Sequence, residues 1–317
     1  MMIPDVLIAA ELKELVGDDP VPGHAVRWIS SREPTPAGDY RALVSLLSRP
    51  IGEAELSGMP RLLIVANCAV GVDNVDLAAC GRRGVIVTNT PDVLTDSTAD
   101  LTWLLILAAA RRAKEGMRLL ERNEWAGWDP TLLLGMELKG RTLGLVGAGR
   151  IGQAVARRAV GFGMQVAYNA PSPKPEFERE LRAQRLDLIA LLQRSDVVSL
   201  HCPLTSDTRH LFSRERFFAM RPGAIFVNTA RGELVDEPAL LQALNSGHVA
   251  AAGLDVFWNE PRVSRTLVEH PRVVALPHIG SATHETRRAM AALAVGNVRA
   301  VLAGKPPLTP VAVPSGR

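Results

Sequence analysis

Four short segments carry the residues whose types and spacing could do chemistry. The first is Gly147-Ala-Gly149-Arg-Ile-Gly152, a G-x-G-x-x-G run directly after the apolar stretch Thr142–Val146. There Gly147 permits a tight turn and Gly149 lets backbone approach a pyrophosphate. Gly152 lets a helix pack on the strand, and the helix N-terminus faces the phosphates. Three glycines alone would fit any tight turn; the strand before them and the helix-like stretch after them favour a dinucleotide site. The other segments each end an apolar run with polar residues: Asn228-Thr-Ala-Arg231-Gly232, Gly253-Leu-Asp255 running on to Glu260-Pro261, and Pro277-His278-Ile-Gly280-Ser-Ala-Thr283. Ligands of open α/β sheets bind outside the carboxyl ends of the strands. An Arg, a Glu and a His converging there form an anion-binding and acid–base set. Taken singly, each is more often a member of a surface ion pair.

The cofactor's ribose should be read at the end of the second strand, where an NAD enzyme usually places Asp or Glu ~20 residues after the fingerprint. The stretch Val166-Ala-Tyr-Asn169-Ala170-Pro171-Ser172-Pro173-Lys174 has no carboxylate before Glu176. Nothing there repels a 2′-phosphate, and Ser172 and Lys174 could contact one. NADP(H) is therefore favoured, with NAD(H) as the other candidate. The prolines would shape the loop for either, and no Arg stands at this turn.

The elements that must position these residues read as alternating strands and helices. Apolar runs bounded by Pro, Gly, Asn or Asp predict strands at Asp5–Ala9, Ala25–Ile29, Leu62–Asn67 and Val85–Asn89. Ser97-Thr98-Ala99-Asp100 has the form of a capping box, and the apolar run from Leu101 predicts a buried helix continuing to about Leu120. Further strands read at Thr142–Val146, Gln165–Tyr168, Asp196–His201, Ala224–Thr229, Ala251–Val256 and Val273–Leu276, with helix-like stretches such as Gln153–Val160 and Pro238–Ser246 between them. A last helix reads from Thr283 to Leu302, and Gly304-Lys-Pro-Pro is expected to close the ordered region. Near-continuous apolar strands alternating with helices imply parallel sheets covered on both faces, an α/β fold.

Composition narrows the class. The chain has 317 residues, 47% hydrophobic and 22% charged, which excludes wholesale disorder. At roughly 150 residues per domain it suggests two domains. Low aromatic content, 4%, leaves Ala, Val and Leu to fill the core. The net charge is +3 and the basic residues come no longer than pairs such as Arg82-Arg83, which argues against nucleic acid. Cys68, Cys80 and Cys202 lie far apart, so neither a disulfide framework nor a metal site is expected, and a reducing cytoplasm fits. The N-terminal stretch lacks a signal-peptide pattern. The most apolar stretch, Leu101–Ala110, is half of what a bilayer needs, so no membrane partner is expected.

These motifs together resemble the D-isomer-specific 2-hydroxyacid dehydrogenase family. The resemblance spans essentially the whole chain: the fingerprint, the segments around Arg231 and Glu260, and the one after His278. The early segments Ala66–Asp76 and Asn89–Asp100 look most like the glyoxylate/hydroxypyruvate reductase branch. It implies two Rossmann- or flavodoxin-like lobes with parallel sheets. The dinucleotide-binding lobe (98–284) would be inserted into a discontinuous substrate-binding lobe (1–97 and 285–317), with the active site in the cleft and a homodimer as the assembly. It also implies cofactor contacts at Thr98, Gly147, Ala148, Gly149, Arg150, Ile151, Gly152, Asn169, Ala170, Ser172, Lys174, Pro203, Thr229, Ala230, Arg231, Asp255, His278 and Gly280, with Thr205 in the same loop as Pro203.

In the reaction so implied, a 2-keto acid needs its carboxylate held, its carbonyl polarised and a proton delivered as hydride reaches C2. Arg231 offers a planar fork to the substrate, and the N–H groups of Val70 and Gly71 hold the carboxylate. His278 is the proton donor, and Glu260 pairs with it to favour imidazolium. His201, His210, His248 and His270 read as structural or surface residues. Cys68 reads as a buried filler, and Trp125 and Trp128 as a subunit contact, cleft lining or plain core. Other readings are a dehydrogenase for another D-2-hydroxy acid (D-lactate-like, phenyl or branched) and a dinucleotide-sensing corepressor. The intact Arg231, Glu260 and His278 set argues for the enzyme.

Overall fold

The computed structural model describes residues 4–314; the outer ends of the expected substrate lobe, 1–3 and 315–317, lie outside them. The chain forms two compact units, one running up to Leu94 and resuming at Ser281, the other spanning Thr95–Gly280.

The first unit is built on a five-stranded sheet of β1 (Val6–Ala9), β2 (Val26–Ile29), β3 (Ala42–Ser45), β4 (Ile64–Asn67) and β5 (Ile86–Thr88), in the order β2-β1-β3-β4-β5. All of its pairings are parallel. This is the flavodoxin-like order. Strand β3 was not among the strands expected from sequence. Its apolar run, Ala42-Leu-Val, is too short to stand out, yet all four of its residues are buried.

The second unit holds β6 (Thr142–Val146), β7 (Gln165–Asn169), β8 (Gln184–Arg185), β9 (Val197–Leu200), β10 (Ala224–Asn228), β11 (Val249–Leu254) and β12 (Val273–Ala275). Their order is β12-β11-β10-β9-β6-β7-β8, again all parallel. Counted from β6 this is the doubly wound dinucleotide order extended by one strand. Both units are therefore α/β with parallel sheets, as the strand–helix alternation implied. The two polar, exposed residues of β8 carried no hydrophobic signal and were not expected as a strand.

Two helix readings need correction. The helix of the second unit begins at Thr95, so Ser97 lies inside its first turn and is not its cap. It also stops at Ala110 and does not run on to Leu120; Arg112 turns left-handed (φ 51°) and a separate helix, Ala113–Glu121, follows. The break has a packing cause. The first helix is buried against β10, β11 and the helix Arg150–Gly161. Gly253 on β11 admits it, since a Cβ there would stand 2.7 Å from Leu105 Cβ. Trp103 donates from Nε1 to the Val155 carbonyl at 2.9 Å and stacks on Phe162 at 4.3 Å. After the turn, Lys114 Nζ donates to the carbonyls of His270 (3.0 Å) and Val273 (2.7 Å), fixing the new direction.

The last helix spans His284–Leu302, with Thr283 as its N-cap accepting from Thr286 N at 3.1 Å. Order does not end at Gly304-Lys-Pro-Pro. Buried Asn297 accepts from the backbone N–H groups of Leu308 (2.8 Å) and Thr309 (3.0 Å) and donates to Thr309 Oγ1 (2.8 Å). Thr309 Oγ1 donates to the Asn89 carbonyl at 2.6 Å, and Val311 N donates to the Val87 carbonyl at 2.8 Å. Val311 and Val313 pack on the core of the first unit. Asn297→Ala strands the Leu308 and Thr309 donors and should lower stability by about 2–4 kcal/mol. Urea unfolding checks this; an unchanged midpoint would mean that the tail is held without Asn297.

Candidate active site

The fingerprint sits where β6 turns into the helix Arg150–Gly161. Gly147 has φ +100° and donates its N–H to the Asn169 carbonyl at 2.9 Å. A Cβ on Gly147 would lie 2.5 Å from the His201 backbone, and one on Gly152 would lie 2.4 Å from the Gly147 carbonyl. Those two glycines are demanded by the packing. Gly149 is different: it has ordinary backbone angles and nothing within 4 Å of its Cβ position. The space above it is open, and the helix begins at the next residue. Its first N–H groups lack intrahelical acceptors and face outward with the positive end of the dipole. Ala148, Arg150 and Ile151 belong to this turn. These residues fit a pyrophosphate-bearing dinucleotide.

Around the end of β7, Asn169 Nδ2 donates to the Leu186 carbonyl at 2.9 Å, which fixes its amide nitrogen. Lys174 Nζ lies 3.3 Å from Ser172 Oγ. Arg185 donates to the carbonyls of Ala170 (3.1 Å) and Pro171 (2.9 Å). A guanidinium therefore stands at the turn from which sequence reading found Arg missing. It arrives on β8, opposite Tyr168, through strand pairing that left no local signal. Beyond β9, Pro203 and Thr205 form a tied turn, with Thr208 Oγ1 donating to the Pro203 carbonyl at 2.7 Å and Thr205 N donating to Thr208 Oγ1 at 2.8 Å.

The structure brings Glu260 and His278 together. His278 Nδ1 lies 2.8 Å from Glu260 Oε2, and Glu260 Oε1 accepts from Phe257 N at 2.9 Å. Burial pushes the Glu260 carboxyl upward, but the His278 bond, the Phe257 N–H and the Arg231 charge outweigh it and hold it below the usual range. His278 is left-handed (φ 56°), a costly conformation for a residue with a Cβ. Asp255 holds it there. Its carbonyl accepts from His278 N at 2.8 Å, and its carboxylate oxygens accept from Ile279 N (2.8 Å) and Gly280 N (2.7 Å). Burial raises the Asp255 carboxyl above its ordinary value, against those two N–H donors and the His278 charge.

Arg231 is placed by its neighbours. Buried Asn228 donates to the Arg231 carbonyl (2.7 Å) and accepts from Ala230 N (3.0 Å). Gly232 follows, where a Cβ would collide with the Phe257 backbone at 1.9 Å. Thr229 Oγ1 lies 3.0 Å from Thr102 Oγ1, and a Cβ on Gly280 would lie 3.4 Å from Thr98 Cγ2. The sequence assigns no role to Asn228, Thr102 or Phe257; what they do shows only in their contacts.

In the first unit, Val70 and Gly71 follow β4. Asn67 donates to the Gly71 carbonyl and Asn89 to the Val70 carbonyl, both at 2.8 Å. Burial pushes the neighbouring Cys68 thiol up to about 12, which makes it an inert filler. Burial pushes His201 down to about 3, so it is neutral, with Nε2 2.9 Å from Ser199 Oγ. Trp125 and Trp128 are exposed, Trp128 by 84%, which removes the core reading for both. Among the described residues, no group of three or more His, Cys, Asp or Glu could hold a metal, and no helix is long and apolar enough to cross a membrane.

Residues 103–280 match the family model described as the D-isomer specific 2-hydroxyacid dehydrogenase, NAD binding domain. The glyoxylate reductase of Thermococcus onnurineus is 49% identical over 275 residues, covering 86% of this chain and 82% of that protein. The chain belongs to the D-isomer specific 2-hydroxyacid dehydrogenase family. The TT0316 protein of Thermus thermophilus matches with a TM-score of 0.87 at 44% identity, over 97% of this chain and 99% of that one. An NADPH-dependent glyoxylate/hydroxypyruvate reductase from Sinorhizobium meliloti, solved with NADP and malonate, matches with a TM-score of 0.87 at 34% identity, over 98% and 97%. The protein is thus an oxidoreductase of the 2-hydroxyacid dehydrogenase family with an NAD-binding domain.

The open space at Gly149 gives a direct check. Gly149→Ala should unfold at the same urea concentration as the wild type, because the new methyl touches nothing. Dinucleotide affinity should fall by about tenfold or more, since the methyl occupies the backbone's approach to the pyrophosphate. Unchanged nicotinamide-cofactor binding, read by fluorescence titration, would remove Gly149 from the site.

Proposed function

We propose that the protein reduces a small 2-keto acid, glyoxylate or hydroxypyruvate, to the 2-hydroxy acid of D configuration where C2 is chiral, with NADPH favoured over NADH. The observation that carries this reading is the 2.8 Å His278–Glu260 bond in the unit that also holds the dinucleotide turn. The names of the relatives at almost half identity support the substrate class.

A reduced nicotinamide, when bound, supplies the hydride that goes to C2. The protein supplies the proton and the anchoring. His278 turns Nδ1 to Glu260, which leaves Nε2 to give its proton to the carbonyl oxygen as that oxygen gains charge. Glu260, held below the usual carboxylate range, fixes the orientation of the ring through its bond to Nδ1. Arg231 offers its fork to the substrate's carboxylate and carbonyl oxygen. The N–H groups of Val70 and Gly71, whose carbonyls are tied back by Asn89 and Asn67, are assigned to the substrate carboxylate. Asp255 keeps the His278–Gly280 backbone in place. The cofactor contacts proposed for Thr98, Thr229, Ala230 and Gly280 follow from their position beside this loop. The three free thiols fit a reducing cytoplasm.

NADPH oxidation should be seen with glyoxylate or hydroxypyruvate; failure with both and with a panel of 2-keto acids would overturn the enzymatic reading. His278→Ala should cut turnover by at least about a hundredfold while NADPH binding stays near normal. Loss of cofactor binding instead would mean that His278 has another role.

We also infer a homodimer. Met117, Leu120, Trp125, Trp128 and Leu134 expose large apolar surface within one stretch of chain, on a scale that a second copy would cover. Sedimentation should give twice the 34.1 kDa chain mass, and Trp128→Glu should shift it toward monomer. A monomeric wild type at micromolar concentration would refute this.

A further inference from the structure

In the strand order of the second unit, the adenosine ribose is read at the carboxyl end of β7. Arg185 comes to that turn from β8, fourteen residues beyond Pro171 in sequence. Its Nε and Nη2 donate to the Ala170 carbonyl at 3.2 and 3.1 Å, and Nη2 also reaches the Pro171 carbonyl at 2.9 Å. Two carbonyls thus fix the plane of the fork, while Nη1 donates to neither of them. Lys174 stands on the same turn with Nζ 3.3 Å from Ser172 Oγ. Of the carboxylates on the following helix, Glu176 is exposed in the first turn and the other two are engaged by the protein. Glu178 accepts from the Tyr168 hydroxyl, and Glu180 pairs with both Nε and Nη2 of Arg157 at 2.8 and 3.0 Å. Pro171, Pro173 and Pro175 stiffen the segment, because each ring locks its own φ.

We propose that Arg185, with Lys174 and Ser172, holds the 2′-phosphate of NADPH, and that Arg185 is the residue that sets the choice between the two nicotinamide cofactors. A phosphate monoester is close to doubly charged at neutral pH, and Nη1, whose N–H groups go to neither of these carbonyls, offers it a charge-assisted hydrogen bond. Because the fork is already pinned, little side-chain freedom is lost on binding. The 2′-hydroxyl of NADH carries no charge, so this contact favours the phosphorylated cofactor selectively. The inference rests on the NADPH reading above and deepens it by naming the discriminating residue.

The competing role for Arg185 is a staple for the turn, which would serve both cofactors alike. The test therefore compares cofactors. Arg185→Ala should lower kcat/KM for NADPH by about ten- to a hundredfold and change that for NADH by less than about threefold. Arg185→Lys should recover part of the loss, since it restores charge without the fork. Inhibition by 2′,5′-ADP should weaken in parallel, while inhibition by 5′-AMP stays put. An equal loss with both cofactors would reduce Arg185 to a staple, and no loss with NADPH would overturn the assignment outright. These outcomes are distinct from failure of the underlying reading: a wild-type preference for NADH above about tenfold, some 1.4 kcal/mol, would overturn the NADPH reading and this inference with it.

Discussion

The site depends on one buried carboxylate. Asp255 leaves β11 almost fully shielded from water, and its two oxygens are taken by consecutive backbone N–H groups, those of Ile279 and Gly280. Together with the bond from His278 N to the Asp255 carbonyl, this closes the loop after β12 onto the end of β11. The left-handed backbone of His278 persists because those three hydrogen bonds over-determine it. The imidazole then faces Glu260, whose own carboxylate is fixed by Phe257 N. Without Asp255 the histidine would still be present in the sequence, but no fixed orientation would link it to a proton partner.

Parallel β-sheets make such an arrangement economical. All seven strands of the second unit run the same way, so each loop that carries chemistry emerges at one edge. The glycines there divide by physical cause. Gly147, Gly152 and Gly232 are required by protein atoms that a Cβ would strike. Gly149 meets no protein atom within 4 Å of its Cβ position, so packing does not demand it. The same contrast separates the polar residues: Asn228 and Asp255 are consumed by backbone, whereas the proposed chemistry falls to the fork of Arg231 and the distal nitrogen of His278.

Electrostatics at the site is local and not a property of the whole chain. The +3 net charge is small. What matters is that Glu260 is kept ionised by the His278 bond and the Arg231 charge against its own burial. His201, just beyond the strand that pairs with the fingerprint strand, is driven neutral by burial and serves as a filler with a hydroxyl partner. Of the two histidines near this sheet edge, His278 faces a carboxylate and His201 a hydroxyl.

Much of this was legible in the sequence. Apolar runs ending in Gly, Asn, Asp or His marked the strands and the loops after them, because periodicity and turn chemistry are local properties of a chain. The fingerprint glycines and the Arg231, Glu260 and His278 set stood out for that reason, and so did the α/β class. Tertiary structure alone decided the rest. Arg185 reached the turn after β7 by pairing of β8 with β7. Asn297 captured Leu308 and Thr309. The apolar helix stopped at Ala110, and Asp255 clamped the backbone beyond His278. Each of these joins groups whose meeting is set by packing of distant elements, and no local pattern of hydrophobicity or turn residues encodes such a meeting.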